Sequence, residues 1–157
     1  MVVTARIQDG GGHGQRGPAR DGGSGSGDDT IVIGYSAGLS GGAAEYGVNV
    51  QNGLKMAIDE LNDEGVEIDG KKYTVKLESL DDQYQPGTTG TNVQRLVEKE
   101  GASVVFVPHA GGIKAAQELN SGRTEFLVGA YSSDPAILDS GNELTVMIPP
   151  SFDSYVD

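Results

Sequence analysis

The sequence contains no cysteine and no tryptophan, and only 6% of its 157 residues are aromatic. Without cysteine the chain forms no disulfide, uses no thiol chemistry and binds no metal through thiolates. Its core must therefore be aliphatic, built from Val, Ile, Leu and Ala. At this length the chain suffices for one domain and is too short for two full-sized ones.

Cationic side chains are scarce. Eleven Lys and Arg residues stand against 23 Asp and Glu residues, which gives a net charge of −12. No part of the chain clusters enough Lys or Arg to neutralise phosphates, so we do not expect nucleic acid as a partner. The acidic balance favours solubility and suits a high-salt or an extracytoplasmic setting.

Long apolar runs are also missing. No stretch approaches 18 apolar residues, and the N-terminus lacks the basic-then-apolar pattern of a secretory signal, so the signal of an exported form would be removed or lie upstream. Residues 1–29 hold nine of the 25 glycines and no large apolar residue after Ile7. We expect them to form a disordered, Gly-rich leader or tether. An artificial extension or a misassigned start would have the same composition.

The stretch from Thr30 to Glu64 predicts a first βα unit. It begins with a buried strand at Ile31–Ile33, continues through a loop of small residues at Gly34–Glu45, and ends in a long helix with apolar residues at helical spacing. We expect this stripe to face the core: Val50, Leu54, Ala57, Ile58 and Leu61. The backbone N–H groups of the glycine-rich loop could bind an anion. Its glycine spacing fits neither a dinucleotide fingerprint nor a phosphate loop, so a turn without a ligand is the alternative.

The rest of the chain alternates between predicted strands and helices. Two strands surround the turn at Asp69-Gly70, and later strands are predicted at 104–107, 126–128 and 144–148, with helices between them. The apolar run at 104–107 is typical of a strand covered on both faces. This order predicts an α/β fold, a three-layer αβα doubly wound parallel sheet. Ligands bind at the carboxyl ends of such strands. The corresponding loops are 34–45, 81–87, 108–112, 130–135 and 149–153.

Catalytic and metal-binding motifs are weak. His109 is the only histidine outside the leader, and a triad with Ser132 or Ser133 lacks the G-x-S-x-G turn of such enzymes. A polar residue after a strand is the simpler interpretation. We interpret Asp81 and Asp82 as solvated or as capping the next turn. We therefore expect no metal and no cofactor.

The loop Ala130–Pro135 is the most informative segment. The hydroxyls of Ser132 and Ser133 and the backbone N–H groups can donate to a carboxylate, while carbonyl oxygens can accept from an ammonium group. No ligand-side loop contains arginine, so neutral groups would have to hold such a carboxylate. An ordinary helix cap is the alternative.

The succession of motifs along residues 30–155 is specific, although no single motif is. The motifs are Ile31–Gly38, Ala44-Glu45-Tyr46-Gly47, the helix with Gly53 and Ala57-Ile58, Leu80-Asp81-Asp82 with Pro86, Val97, Val104–Pro108 and Ser132-Ser133-Asp134-Pro135. This succession resembles the substrate-binding proteins of branched-chain amino acid ABC transporters, which are type I periplasmic binding proteins of the Leu/Ile/Val-binding family.

The resemblance implies that two αβα lobes close on a ligand. It implies that Tyr131–Ser133 grip the α-amino and α-carboxylate groups, and that Tyr46 lies against the ligand. The segment matching Ala110–Gly112 usually offers a serine hydroxyl, and here only backbone donors remain. The implied ligand-binding residues are Tyr46, Ala110, Gly111, Gly112, Tyr131, Ser132 and Ser133. The acidic residue that usually meets the ammonium group belongs to the second lobe.

The resemblance also implies a function. We expect an extracytoplasmic, monomeric, non-enzymatic binding protein that delivers branched-chain or related amino acids, or small amides, to an ABC permease in the membrane. Residues 30–157 would form the N-terminal lobe, and because the family's chain crosses to the second lobe near this point, we expect a fragment or a truncated product. The alternatives are a ligand-sensing regulatory domain of the same fold and an enzyme on a doubly wound sheet.

Overall fold

The computed structural model describes residues 29–120 and 125–155. The strands in this part are β1 Asp29–Ala37, β2 Val66–Ile68, β3 Lys71–Asp81, β4 Val104–Val107, β5 Leu127–Ala130 and β6 Thr145–Met147. The α-helices are α1 Ala44–Glu64, α2 Pro86–Glu98 and α3 Ala110–Asn120, with short 3-10 helices at Gly41–Ala43, Pro135–Ser140 and Phe152–Tyr155. The expected leader lies outside the described residues, except for Asp29, which opens β1.

The six strands form one sheet in the order β2-β3-β1-β4-β5-β6. The strand pairs are parallel, except for the hairpin of β2 and β3. This confirms the predicted parallel sheet. The chain adds β3 on one side of β1 and then crosses to add β4 on the other side. The connections therefore diverge beside β1, and such a switch point leaves a crevice at the carboxyl ends of the strands.

The two faces of the sheet carry different helices. Successive residues of β1 point to opposite faces. The hydroxyl of Tyr35 donates to the Gly47 carbonyl of α1 at 2.7 Å, whereas Ser36 accepts from the Asn92 amide of α2 at 3.2 Å. Helix α1 therefore lies on one face, and α2, with α3 packed beside it, lies on the other. The predicted three-layer arrangement is confirmed.

The main hydrophobic core lies between the sheet and the pair α2 and α3. Its fully buried members are Val93, Leu96, Val105, Val107, Ile113, Ala116, Val128, Ala130 and Ile137. Burial of each large apolar side chain contributes about 1.5–3 kcal/mol. The side of the sheet that α2 and α3 cover is therefore the better stabilised one.

The face covered by α1 is more open than the sequence predicts. Ile58 of the expected core stripe is buried, but Val50 and Leu54 are half-buried and Leu61 is 44% exposed. One helix, about 10 Å across, covers roughly two strands spaced 4.8 Å apart. Because α1 packs over β3, an apolar groove of about 410 Å³ remains beside Phe106 of β4. The prediction that β4 is covered on both faces is thus wrong for the described residues.

Several boundaries also differ from the prediction, by one or two residues at β5 and β6 and by more at β1 and α3. Strand β1 runs on to Ala37 because Gly34–Ala37 pair with Glu78–Asp81. Helix α3 already begins at Ala110, inside the expected break at 108–112. Of the helices that the structure describes, none has the length and apolar character needed to cross a membrane.

Candidate functional site

A cleft of about 410 Å³ lies at the carboxyl ends of β4 and β5. It is lined by Tyr46, Tyr84, Pro108, His109, Ala110, Tyr131, Ser132, Ser133, Pro149 and Phe152. The fold therefore brings together five of the residues singled out from the sequence, which come from three separate segments: Tyr46, Ala110, Tyr131, Ser132 and Ser133. That these residues bind a ligand stays a prediction.

Gly111 and Gly112 do not line the cleft. A Cβ atom on Gly111 would lie 2.7 Å from Cγ of Pro86, and one on Gly112 would lie 2.5 Å from Cε1 of His109. Both glycines thus allow the first turn of α3 to pack closely against its neighbours. The Gly112 N–H donates to Nδ1 of His109 at 3.0 Å, so this group is not available to a ligand. The N–H groups of Ala110 and Gly111 remain as donors, since the first turn of a helix offers them no intrahelical acceptor.

The loop after β5 serves partly as a cap. The Asp134 side chain accepts from the Ala136 N–H at 3.0 Å and caps the 3-10 helix that follows. The Ser132 hydroxyl accepts a long hydrogen bond of 3.4 Å from the Asp134 N–H. The Ser133 hydroxyl has no hydrogen-bond partner among the described residues. The cap proposed as the alternative is therefore present, and it leaves at least the Ser133 hydroxyl available as a donor.

Aromatic rings form the walls of the cleft. They belong to Tyr46, Tyr84, Tyr131 and Phe152, and Phe152 is 61% exposed. The Phe152 N–H donates to the Ser133 carbonyl at 2.9 Å, which holds this ring beside the cleft. Partial burial raises the pKa of Tyr46, and the nearby hydroxyls of Tyr131 and Tyr84 raise it further. The phenol is therefore a neutral donor at pH 7, and no Lys or Arg side chain of the described residues lines the cleft.

A buried polar network lies behind the cleft and is centred on the fully buried Asp82. Its Oδ2 atom accepts from the hydroxyls of Ser36 at 3.0 Å and Thr89 at 2.8 Å. Its Oδ1 atom accepts from the Tyr84 N–H at 2.8 Å. Burial by itself would raise the pKa of Asp82, but the hydrogen bonds from His109, Thr89 and Tyr84 together lower it below its ordinary value. Of the two interpretations given for Asp82, solvated or capping the next turn, the structure shows the second: Asp82 caps the turn and is buried.

His109 completes this network. It is 3% exposed, and its Nε2 atom lies 3.1 Å from Oδ2 of Asp82. A catalytic triad needs the second ring nitrogen to face a nucleophile. Here that nitrogen accepts from Gly112, and neither Ser132 nor Ser133 bonds to the ring among the described residues. Among the described residues the arrangement is therefore an acid–histidine pair whose second ring nitrogen is taken by a backbone N–H and faces no serine.

The contact between Asp82 and His109 was not predicted from the sequence. The two residues are 27 positions apart, and each follows a strand that pairs with β1. The signal that could have revealed this pair is that both residues directly follow strands lying next to β1. It becomes usable only once the strand order is known.

The glycine-rich loop after β1 binds an anion that the chain itself supplies. The Leu39 N–H donates to Oδ1 of Asp81 at 2.8 Å, and the Ser40 hydroxyl donates to Oδ2. The Ser40 hydroxyl, helped by backbone N–H groups, lowers the pKa of Asp81. The loop is thus a turn closed by an internal carboxylate, in agreement with the ligand-free alternative. Within residues 29–120 and 125–155, no three His, Asp or Glu side chains are grouped to hold a metal ion.

The strand order and the cleft at the switch point define a lobe of a type I periplasmic binding protein, the class that the motifs resemble. Comparison with known proteins agrees. Residues 30–155 match the periplasmic binding protein family, and the chain belongs to this family. This family is a class of solute-binding, extracytoplasmic proteins.

Individual relatives are similar to the chain over part of their length. The Leu/Ile/Val-binding protein BraC3 of Rhizobium johnstonii is 39% identical over 83 residues, which are 53% of this chain and 22% of that protein. The substrate-binding protein LivJ of Streptococcus pneumoniae, solved with isoleucine, is 25% identical with a TM-score of 0.68 over 78% of this chain and 34% of its own. A possible leucine/isoleucine/valine-binding protein of Rhodopirellula baltica is 30% identical, with a TM-score of 0.59. The match covers 69% of this chain and 29% of that protein. The chain thus spans about a fifth to a third of the length of these relatives.

Proposed function

We propose that the chain forms a ligand-binding lobe of a substrate-binding protein that serves an ABC importer outside the cytoplasm. The ligand is a branched-chain or related α-amino acid, and the recipient is a permease in the membrane. One observation carries the proposal. Ala110, Ser132 and Ser133, which carry uncharged hydrogen-bond donors, line one cleft together with Tyr46 and Tyr131.

The chemistry of the cleft suits a zwitterion. A ligand carboxylate would accept from the Ser133 hydroxyl and from the first turn of α3, and each hydrogen bond to a charged group contributes about 1.5–3 kcal/mol. A ligand ammonium group would meet carbonyl oxygens and the faces of tyrosine rings, which attract cations. The ligand side chain would then lie against the aromatic walls.

The choice of ligand class is supported by the relatives. One of them is described as a Leu/Ile/Val-binding protein, another as a possible leucine/isoleucine/valine-binding protein, and a third was solved with isoleucine. The four aromatic rings of the cleft would also accept a flat aromatic side chain, so aromatic acids belong in the same test. Binding without turnover is the expected behaviour, since the second ring nitrogen of His109 accepts from the Gly112 N–H and neither Ser132 nor Ser133 bonds to the ring among the described residues.

Titration of the ¹⁵N-labelled chain, followed by ¹H–¹⁵N correlation spectra, tests the proposal. NMR detects dissociation constants in the millimolar range, which suits a cleft formed by one lobe. The panel is leucine, isoleucine, valine, aromatic acids, short amides and urea, with D-leucine as a control. We expect an L-amino acid to shift the amide signals of Ala110, Ser132 and Ser133. An absence of saturable shifts across the panel would contradict the proposal.

Variants of the cleft provide a second test. We expect Ser133→Ala to weaken binding by about 10- to 150-fold, because it removes one hydrogen bond to a charged group. Tyr46→Ala should weaken binding as well, and both variants should stay folded. Ser103→Ala is the matched control, since this exposed serine precedes β4 at the opposite end of the sheet. Equal affinity in all three variants would remove the assignment of the site.

A further inference from the structure

We propose that His109 is a positioning residue of the cleft. Its two ring nitrogens and its ring face join the buried carboxylate of Asp82, the first turn of α3 and the ring of Tyr84 into one fixed arrangement. This inference deepens the proposed function and rests on it for its binding test. A second test, described below, needs no ligand.

The contacts of His109 determine its tautomer. The Gly112 N–H can only donate, so the Nδ1 atom that it contacts at 3.0 Å must be unprotonated. A neutral imidazole then carries its proton on Nε2. That atom faces the Asp82 carboxylate at 3.1 Å, which is an acceptor. Both ring nitrogens are therefore satisfied in one tautomer and one ring orientation.

The surroundings permit no other orientation. Rotation of the ring by half a turn would exchange nitrogens for carbons and leave Gly112 and Asp82 facing C–H groups. The ring also fills the space beside Gly112, where a Cβ atom would lie 2.5 Å from its Cε1. The Thr89 hydroxyl lies 3.3 Å from Nε2 and donates to Asp82, so it belongs to the same network.

The network reaches the cleft in two places. By holding Gly112, His109 fixes the direction of the neighbouring N–H groups at Ala110 and Gly111. By its ring face, it supports Tyr84, whose ring stacks on it with centroids 4.5 Å apart and planes 29° apart. Tyr84 and its neighbour Gln83 have backbone φ angles of 63° and 52°, which residues other than glycine rarely adopt. This backbone therefore needs the support of Asp82 and His109.

Two conservative variants separate the contacts. In His109→Asn, the side-chain oxygen can replace Nδ1 as acceptor for the Gly112 N–H, but the amide does not reach Asp82. In His109→Gln, the amide nitrogen can donate to Asp82, but the Gly112 N–H loses its acceptor. His109→Leu removes both contacts at similar volume.

The binding test uses the amino acid that binds the wild-type chain best. We expect His109→Leu to weaken binding at least tenfold and His109→Asn to recover a large part of it, because Asn restores the turn that carries the Ala110 and Gly111 donors. Far-UV circular dichroism checks that each variant is folded. If His109→Leu does not fold, the comparison of Asn with Gln decides, and Asn should bind at least threefold more tightly. Affinities within twofold of the wild type in all folded variants would overturn the proposal.

The second test reads the tautomer directly. Ring ¹⁵N chemical shifts of histidine distinguish a protonated from an unprotonated nitrogen, and His13 is the only other histidine, so His109→Asn assigns the signals. We expect an unprotonated Nδ1 and a protonated Nε2 near pH 7.5. The opposite tautomer, or fast averaging between the two, would overturn the proposal. A wild-type chain that binds no amino acid would instead contradict the proposed function, and the ring shifts would still decide the role of His109.

Discussion

Two glycines of α1 should respond to the same substitution in opposite ways. Gly47 and Gly53 both lie within the helix Ala44–Glu64. A Cβ atom on Gly53 would meet no described atom within 4 Å beyond its own stretch of helix, whereas one on Gly47 would lie 2.1 Å from the carbonyl oxygen of Gly38. Comparing Gly47→Ala with Gly53→Ala therefore separates the effect of helix propensity on stability from the effect of close packing.

The magnitudes follow from these contacts. Alanine is favoured over glycine inside a helix by about 1 kcal/mol, so Gly53→Ala should stabilise the chain by about that amount. The same gain applies at Gly47, but there the contact must lengthen by roughly 1 Å, and overpacking of this kind typically costs about 1–3 kcal/mol. The helix cannot simply move away, because the Gly47 carbonyl also accepts from the buried Tyr35 hydroxyl. Because the clashing atom belongs to the backbone and not to a flexible side chain, we expect the upper part of this range, so that Gly47→Ala is less stable than Gly53→Ala by about 2–3 kcal/mol.

Urea unfolding followed by far-UV circular dichroism measures this difference, since the chain has no tryptophan for fluorescence. Gly53→Ala should raise the urea midpoint, and Gly47→Ala should lower it with an unchanged slope. Gly47→Ala should also weaken ligand binding, because it displaces the adjacent Tyr46 of the cleft. Equal midpoints in the two variants would refute the packing argument.

Two further predictions concern the polar contacts that join the elements. Asp82→Asn should lower the free energy of unfolding by about 1.5–3 kcal/mol or more at pH 7, because hydrogen bonds donated to a charged, buried carboxylate by Ser36, Thr89 and Tyr84 are weakened or lost. The folded-state pKa of Asp82 lies below its ordinary value of 3.8, so its contribution to stability is present above that pH and is lost as the pH falls through the lower folded value. The difference in unfolding free energy between wild type and variant should therefore shrink in urea titrations below about pH 4. A difference that stays constant with pH would contradict this. Asn62→Ala should cost about 2 kcal/mol, because its amide exchanges two hydrogen bonds of 2.9 and 2.8 Å with the backbone of Val75 and so ties α1 to β3. Asn52→Ala, at an exposed position of the same helix, should change stability by less than about 0.5 kcal/mol in the same assay.

Local patterns predicted the elements well. The apolar run Val104–Val107 coincides with β4, and the predicted helix ends at Glu64 as observed. The turn at Asp69-Gly70 joins β2 and β3 as predicted. Each of these signals is contained within a few neighbouring residues, so it can be read without knowledge of the fold.

Features that depend on distant partners were predicted poorly. The continuation of β1 through Gly34–Ala37 exists because this segment pairs with residues more than 40 positions later. The exposure of Leu61 reflects how much of the sheet α1 covers, which its own periodicity cannot reveal. The glycine-rich loop offered an anion site, and only the fold shows that Asp81 occupies it.

The sequence by itself determined the alternating order of strands and helices, the aliphatic core and a set of ligand-side loops without arginine. These properties follow from composition and short-range periodicity, which can be read from the sequence without knowing the fold. Only the tertiary structure decided that Asp82 meets His109, that Gly111 and Gly112 serve packing, and that the cleft gathers Tyr46 with Ser133. The physical reason is that the strand order brings the ends of β1, β3 and β4 together, and contacts among buried polar groups depend on that order.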